Sequence, residues 1–227
     1  MGIFSFLKKK PAQPHQPSHE PYNESSTNFI YNLLFCDDLN LFKEKTQEPY
    51  TYPFDILFAE QSSFEDLQSL IDDENFDSRI KLLAYNKQVA GGHEPNKKEL
   101  LAVIVEVGLE NGLDVLASFK DGTARYINQS GKILVWETTE DVAANAISDK
   151  LFASSEYIVS QIGVWDKPRL PRPVQGNVRI TFLVSDGLYF GEGPMIVLFD
   201  DPMAGPALAN ATALMQYLTE KSLNSNS

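Results

Sequence analysis

The chain has 227 residues, of which 43% are hydrophobic and 11% aromatic, and it carries a net charge of −12. This composition supports a folded core, and the acidic charge excludes the basic face that nucleic-acid binding requires. With one cysteine (Cys36), no signal-peptide pattern and no apolar run of roughly 18 residues, the sequence predicts a cytoplasmic protein whose partner is a protein or a small molecule.

Residues 1–26 are predicted to form a disordered, proline-rich tail, because prolines alternate there with glutamine, histidine and serine. The first ten residues differ from the rest of the tail. Their apolar residues precede three lysines at 8–10, a pattern that predicts at most a weak membrane-surface contact through residues 1–10. The apolar residues are Ile3, Phe4, Phe6 and Leu7.

Residues 27–222 are predicted to form a single α+β domain, whose first part, 27–95, is helical. Apolar spacing predicts one helix over 28–44 and two more that start near Ser62 and Asp77. The run Phe54–Ala59 is compatible with a short strand or a buried turn.

The second part of the domain, 100–222, is predicted to contain the sheet together with further helices. Four apolar segments near 101–109, 113–119, 123–128 and 132–137 are separated by the dipeptides Asn-Gly, Asp-Gly and Ser-Gly, which favour tight hairpin turns. The pattern predicts an antiparallel meander with one well-buried face and one mixed face, backed by helices on one side.

A helix with a capping box at Thr138 and Asp141 is predicted to follow the meander, then an extended connector over Trp165–Pro173. A fifth strand over 178–185 and a final helix complete the domain, while Met195–Phe199 fits either a sixth strand or the start of a helix. The predicted fold is therefore α+β, with a meander of five to six strands backed by helices. Domains of the roadblock, longin or profilin type share this general element order, which says little about function.

Residues with catalytic or metal-binding chemistry are few. His93 is the histidine of the predicted domain and follows two glycines in a loop, and Cys36 is flanked by apolar residues typical of a buried site. The acidic pairs and triplets at 37–38, 72–74 and 200–201 fit helix ends and solvated faces. The glycine-rich stretch 187–193 contains no GxGxxG and fits a turn with a bulge. The sequence therefore predicts no catalytic residue, no metal site and no cofactor.

A partner-binding patch is predicted where the connector and the glycine-rich stretch border the fifth strand. Tryptophan and arginine are the residue types that most often anchor interfaces, and aromatic residues between turn glycines are often presented to a partner. The predicted patch consists of Trp165, Lys167, Arg169, Arg172, Asp186, Tyr189, Phe190 and Glu192.

Several phrases of the sequence recur together and in this order in one family. They are RIKLLAYN, LAVIVEVGLENGLDVLASFKDGTARYINQSGKILVWE, GVWDKPRLPRP and FLVSDGLYFGEGP. Over about residues 50–220 the chain resembles a widespread family of uncharacterised bacterial proteins. The resemblance implies a bacterial cytosolic protein and implies no activity.

Three functions are compatible with the sequence. The first is a non-enzymatic protein-interaction or regulatory module, and the second, related to it, is a toxin-neutralising immunity protein, whose acidic surface would cap a basic toxin. The third is a carboxylate- or metal-dependent enzyme. A deep pocket that gathers Asp186, Glu192 and Arg125 would favour the enzyme, and a flat aromatic patch would favour the module. The sequence does not predict the oligomeric state.

Overall fold

The computed structural model describes residues 20–225. Its helices are α1 (Ser25–Leu33), α2 (Leu39–Lys43), α3 (Phe54–Phe58), α4 (Phe64–Asp72), α5 (Ser78–Ala90), α6 (Val142–Gln161), α7 (Met195–Asp200) and α8 (Ala204–Ser225). Its strands are β1 (Leu100–Leu109), β2 (Gly112–Phe119), β3 (Ala124–Ile127), β4 (Ile133–Trp136), β5 (Asn177–Val184) and β6 (Gly187–Pro194).

The six strands form one antiparallel sheet in the order β4-β3-β2-β1-β5-β6. This confirms the predicted α+β class and the meander, whose hairpin turns lie where the glycine dipeptides predicted them. At the β2–β3 turn, Gly122 has a φ of +85°, a conformation that glycine adopts without strain.

Helices cover both faces of the sheet, which corrects the prediction of helices on one side. The helices α1 to α5 pack on the face that carries Ile104 and Val115, here called the α1–α5 face. The helices α6 and α8 pack on the face that carries Val103 and Ile180, here called the α6/α8 face. Both sets of alternating side chains of β1 pack against a helical layer. This burial on two sides is the physical reason why the sequence of β1 is a continuous apolar run.

Two segments before the sheet also differ from the prediction. The helix predicted over 28–44 is broken into α1 and α2, because the Asp38 side chain accepts a hydrogen bond from the Asn40 backbone N–H (2.9 Å) and so begins a new helix. The run Phe54–Ala59 forms the short helix α3, with Leu57 and Phe58 buried.

Beyond the meander, the structure shows what two further segments form. The glycine-rich stretch forms strand β6 rather than a bulged turn, because it pairs with β5 along its whole length. The run Met195–Phe199, which fitted either a strand or a helix, lies in helix α7.

The folded chain begins before the predicted boundary at residue 27. Tyr22 is only 8% exposed, its hydroxyl donates to the Leu113 carbonyl (2.9 Å), and its backbone N–H donates to Asn28 Oδ1 (2.8 Å). Residues 21–26 are thus part of the fold and not of a tail. The rest of the predicted tail, including the predicted membrane contact of residues 1–10, lies outside the described residues. No helix within 20–225 is long and apolar enough to cross a membrane.

Candidate functional site

The connector between α6 and β5 lies over the α1–α5 face and along the edge of β6. The Trp165 backbone N–H donates to the Leu188 carbonyl (2.7 Å), and the Trp165 ring meets the Phe190 ring edge-on, with 5.0 Å between centroids. The Lys167 ammonium lies 5.3 Å from the Trp165 ring centre. These three members of the predicted patch are therefore brought together.

Arg169 is not presented to a partner. Its Nε donates to Asp37 Oδ2 (2.9 Å), one terminal nitrogen donates to Asn32 Oδ1 (2.7 Å), and its guanidinium lies 3.8 Å from the centre of the Phe35 ring. The side chain thus fastens the connector to α1. Arg172 is exposed and donates one long hydrogen bond, 3.4 Å, to the Pro21 carbonyl.

Asp186 and Tyr189 lie on the opposite side of the sheet from Phe190. Tyr189 is buried on the α6/α8 face, where its hydroxyl donates to Asp186 Oδ2 (2.8 Å) and the Lys98 ammonium lies 4.3 Å from its ring centre. Adjacent residues of a strand point to opposite faces, so the finding that 187–194 is a strand separates Tyr189 from Phe190. The expectation that the whole patch shares one surface is wrong for this reason.

Glu192, the last member of the patch, belongs to a charged ladder across three strands. Arg179 on β5 lies between Glu106 on β1 and Glu192 on β6, its partners in register on both sides. It donates to Glu192 Oε2 through Nε (2.8 Å) and a terminal nitrogen (2.6 Å), and to Glu106 Oε2 more weakly (3.4 Å). The sequence analysis missed Glu106 and Arg179, although a charged residue within each of two apolar strands was a signal for them.

The ladder is closed by α1 and by the connector. The Tyr31 hydroxyl donates to Glu106 Oε1 (2.6 Å), and Arg179 also donates to the carbonyls of Leu170 (3.2 Å) and Pro171 (2.6 Å). Glu106 is fully buried, and burial raises the pKa of its carboxyl above the usual value, although Arg179 and the Tyr31 hydroxyl lower it. This arrangement gives the buried polar groups of the ladder hydrogen-bond partners.

The ladder offers little space for a substrate. The cavity lined by Trp165, Arg169, Arg179 and Phe190 measures about 10 Å³, which is about the volume that one water molecule requires. The ladder is therefore a packed interior and not a pocket.

The charges proposed for an enzyme are not gathered in one pocket. Asp186 pairs with Tyr189, Glu192 pairs with Arg179, and Arg125 pairs with Glu137 across β3 and β4. Among residues 20–225 no group of three histidine, cysteine, aspartate or glutamate side chains could hold a metal ion.

A second group of charges lies at the end of the sheet where β1 begins. Lys97 and Lys98 line depressions of about 440 and 330 Å³, and Lys120 lines the larger one. Lys97 pairs with Glu99 (2.8 Å), and Lys120 lies 3.9 Å from Glu156. Their positive charges thus have carboxylate neighbours, which weakens this end as an anion site.

Helix α7 presents apolar side chains to solvent. It follows Pro194 and ends at Asp200, because the Asp201 side chain accepts hydrogen bonds from the N–H groups of Met203 and Ala204, where α8 begins. Of its apolar residues, Leu198 packs against Gly193, and the others are between 39% and 76% exposed. The exposed residues are Met195, Ile196, Val197 and Phe199.

A crevice adjoins α7 on the α6/α8 face. Its volume is about 70 Å³, and its walls are mainly apolar, with Val107 and Val178 from the sheet and Leu208 and Met215 from α8. Phe199 lines the crevice and is also 40% exposed, so the crevice and the exposed side chains are continuous. We call the four exposed side chains and this crevice the α7 surface.

The α7 surface was not predicted from the sequence, because the apolar run from Met195 to Phe199 fitted either a sixth strand or the start of a helix and gave no sign of exposure. The sequence contained one signal for this exposure: the run lies between Pro194 and two aspartates, which leaves a segment too short to be buried by itself. No protein-family model and no curated protein matches this chain.

Proposed function

We propose that this protein is a non-enzymatic interaction module and that it binds a protein partner through the α7 surface. The observation that carries the proposal is the exposure of four large apolar side chains on one six-residue helix. Contiguous exposed apolar patches on folded proteins usually serve as binding sites, since burying them against a partner releases the water that they order.

The crevice supports this function by offering a place for an anchor. Interfaces gain most of their free energy from a few side chains that fill pockets at their centre. A space of about 70 Å³ walled by Val178, Leu208 and Met215 suits one aliphatic or aromatic side chain of a partner. Phe199 stands at its rim and would close over the inserted group.

The charge around the α7 surface indicates which partners fit. The exposed side chain of Asp200 ends the helix, and the chain as a whole carries a net charge of −12. An acidic surface favours a partner with a basic surface and accelerates its association. A cationic protein partner is therefore the class that we propose.

The test compares affinity capture by three forms of the chain. Ile196→Ser removes the most exposed side chain of α7, at 76% exposure, and Val142→Ser is the matched control, because Val142 is 81% exposed on α6. We expect the parent and Val142→Ser to enrich the same basic protein from a lysate of the native cells, and Ile196→Ser to lose it.

The enriched protein is then purified and titrated against each form by calorimetry. We expect Ile196→Ser to weaken its affinity about tenfold, as the loss of one interface anchor does. Equal affinity for the parent and Ile196→Ser would show that the partner binds elsewhere and would overturn the proposal.

A further inference from the structure

We propose that residues 3–10 of the same chain occupy the α7 surface and cover it until a partner displaces them. The docking of this segment stands on its own evidence, whereas its role as a competitor rests on the proposed function. Four observations support it: the composition of the segment, the place where the described chain begins, the reach of the intervening residues, and the charge of the two surfaces.

The composition of residues 1–19 matches the α7 surface in two ways. Its large apolar residues are all in the first seven positions, where Ile3, Phe4, Phe6 and Leu7 offer side chains of the size that the crevice accepts. Three lysines follow directly at 8–10, and residues 11–19 contain neither charge nor a large apolar side chain. The segment is thus a short apolar group with a basic flank, joined to the fold by a spacer.

The described chain begins at the same end of the sheet as α7. Pro21 lines a surface depression together with Asn111 of the β1–β2 turn. The backbone N–H of Met195, the first residue of α7, donates to the Gly176 carbonyl (2.8 Å). The N–H of Gly176 donates in turn to the carbonyl of Gly108 (2.9 Å), three residues before Asn111.

The spacer is long enough to cross this end of the sheet. Ten residues, 11–20, span at most roughly 35 Å when extended and roughly 18 Å as a flexible chain. A tether of this length gives its end an effective concentration in the millimolar range. A contact of weak intrinsic affinity is therefore populated within one molecule.

The two surfaces carry opposite charge. The lysines at 8–10 are the charged residues of 1–19, so removing their +3 from the net charge of −12 leaves −15 on the remaining chain. At the α7 surface, Asp200 is exposed and Asp114 lines the crevice. This charge favours the basic flank and disfavours a second copy of the acidic fold or an anionic lipid surface.

The test uses a spin label on the full chain. Cys36 is buried, and burial raises the pKa of its thiol, so that a thiol reagent selects the cysteine introduced by Ser5→Cys. We expect the label to broaden the methyl signals of Ile196 and Val197 in a sample with isotope and label on the same molecule. The signals of Val142, on α6, are expected to stay sharp.

Two variants probe the contact. Adding Phe4→Ser and Phe6→Ser to the labelled chain removes the apolar group and is expected to abolish the broadening. Adding Pro14→Ser and Pro17→Ser changes only the spacer and is expected to preserve it. Equal broadening in the chain with and without the phenylalanines would overturn the proposal, since the contact would not depend on the apolar group.

The alternative occupants give different results. Broadening of the same signals in an isotope-labelled, spin-free chain when a separate spin-labelled chain is added would overturn the proposal in favour of a second copy. An absence of broadening, together with sedimentation on phosphatidylserine vesicles that the phenylalanine variant loses, would overturn it in favour of a lipid surface. An absence of both would overturn it outright.

Failure of the proposed function is detected separately. The broadening experiment contains no partner, so it reports on the segment alone, whereas Ile196→Ser reports on partner capture. If both hold, the variant Phe4→Ser, Phe6→Ser is expected to bind the captured partner at least about twofold more tightly, because apparent affinity rises with the fraction of open molecules. Unchanged affinity would overturn the competitor role.

Discussion

The two faces of the sheet are both covered by helices but are closed by different means. On the α1–α5 face, a fully buried ladder of Glu106 and Arg179 reaches Glu192, and the connector lies over it. On the α6/α8 face the packing is apolar and leaves an open crevice beside Phe199. The difference teaches that Trp165 and Arg169 of the connector, which have the residue types of interface anchors, pack against the fold, whereas the open surface is formed by apolar side chains of α7.

The largest expected effect tests the ladder. Arg179→Ala leaves the buried Glu106 without its cation, so we expect the free energy of unfolding to fall by about 3–5 kcal/mol. Urea denaturation measures it. Arg172→Ala is the control, expected to cost under about 0.5 kcal/mol, because this exposed side chain makes one long hydrogen bond. Similar losses in both variants would contradict a special role for the ladder.

The apolar face is tested by Leu208→Ala. Leu208 is buried at the wall of the crevice, and its truncation joins new empty space to the existing crevice. We expect a loss of about 2–5 kcal/mol in the same denaturation experiment, toward the lower end if water enters from the open side. A loss below about 1 kcal/mol would mean that this face can collapse around the gap, so that the two faces differ more than we infer.

The ionisation of Glu106 makes the stability contributed by the α1–α5 face depend on pH, which distinguishes it from the apolar packing of the α6/α8 face. Burial raises its pKa in the folded state, so the folded chain holds this proton above the pH at which the unfolded chain releases it. The stability that Glu106 contributes is thus complete at acidic pH, below its usual pKa, and is lost as pH rises through the raised value. The glutamine in Glu106→Gln does not ionise, so its contribution to stability does not change with pH. We therefore expect the free energy of unfolding of the variant, minus that of the parent, to increase with pH.

This expectation is checked by urea denaturation of both forms in steps from pH 5 to pH 8. Glu106→Gln leaves every other ionisable group of the chain in place, so a pH dependence of the difference reports on position 106. A difference that is constant across the series, or that shrinks as pH rises, would contradict the assigned sign.

The smallest expected effect is on the α7 surface. Ile196→Ser changes a side chain that is 76% exposed on the fold and that residues 3–10 would cover only through a weak contact, so we expect the free energy of unfolding to stay within about 0.5 kcal/mol of the parent. A larger loss would show that Ile196 packs in the folded chain in solution, and would agree with an occupied α7 surface. Ile196→Ser is therefore also measured in the chain that carries Phe4→Ser and Phe6→Ser. If residues 3–10 occupy the α7 surface, the loss of unfolding free energy caused by Ile196→Ser should vanish in that chain.

The meander and most helices were predictable because their signals are local. The turn at Gly122 and the helix start at Asp77 each depend on a few adjacent residues, and both occur where predicted. The cover on both faces was not predicted, because it depends on which distant helix meets each side of β1. The binding patch failed for a similar reason: Arg169 has the residue type of an interface anchor, but its partner at Asp37 is far away in the sequence.

The connector has a consequence for how copies of this protein stay apart. An exposed edge strand offers unpaired backbone groups to which another chain can add a strand, a common start of aggregation. At β6 the connector already uses one of them, because the Trp165 N–H donates to the Leu188 carbonyl. At the other edge, β4 has only four residues, too short to template a long pairing. The order of strands thus places a partly covered edge and a short edge at the two sides, and both disfavour sheet-to-sheet growth without a closed barrel.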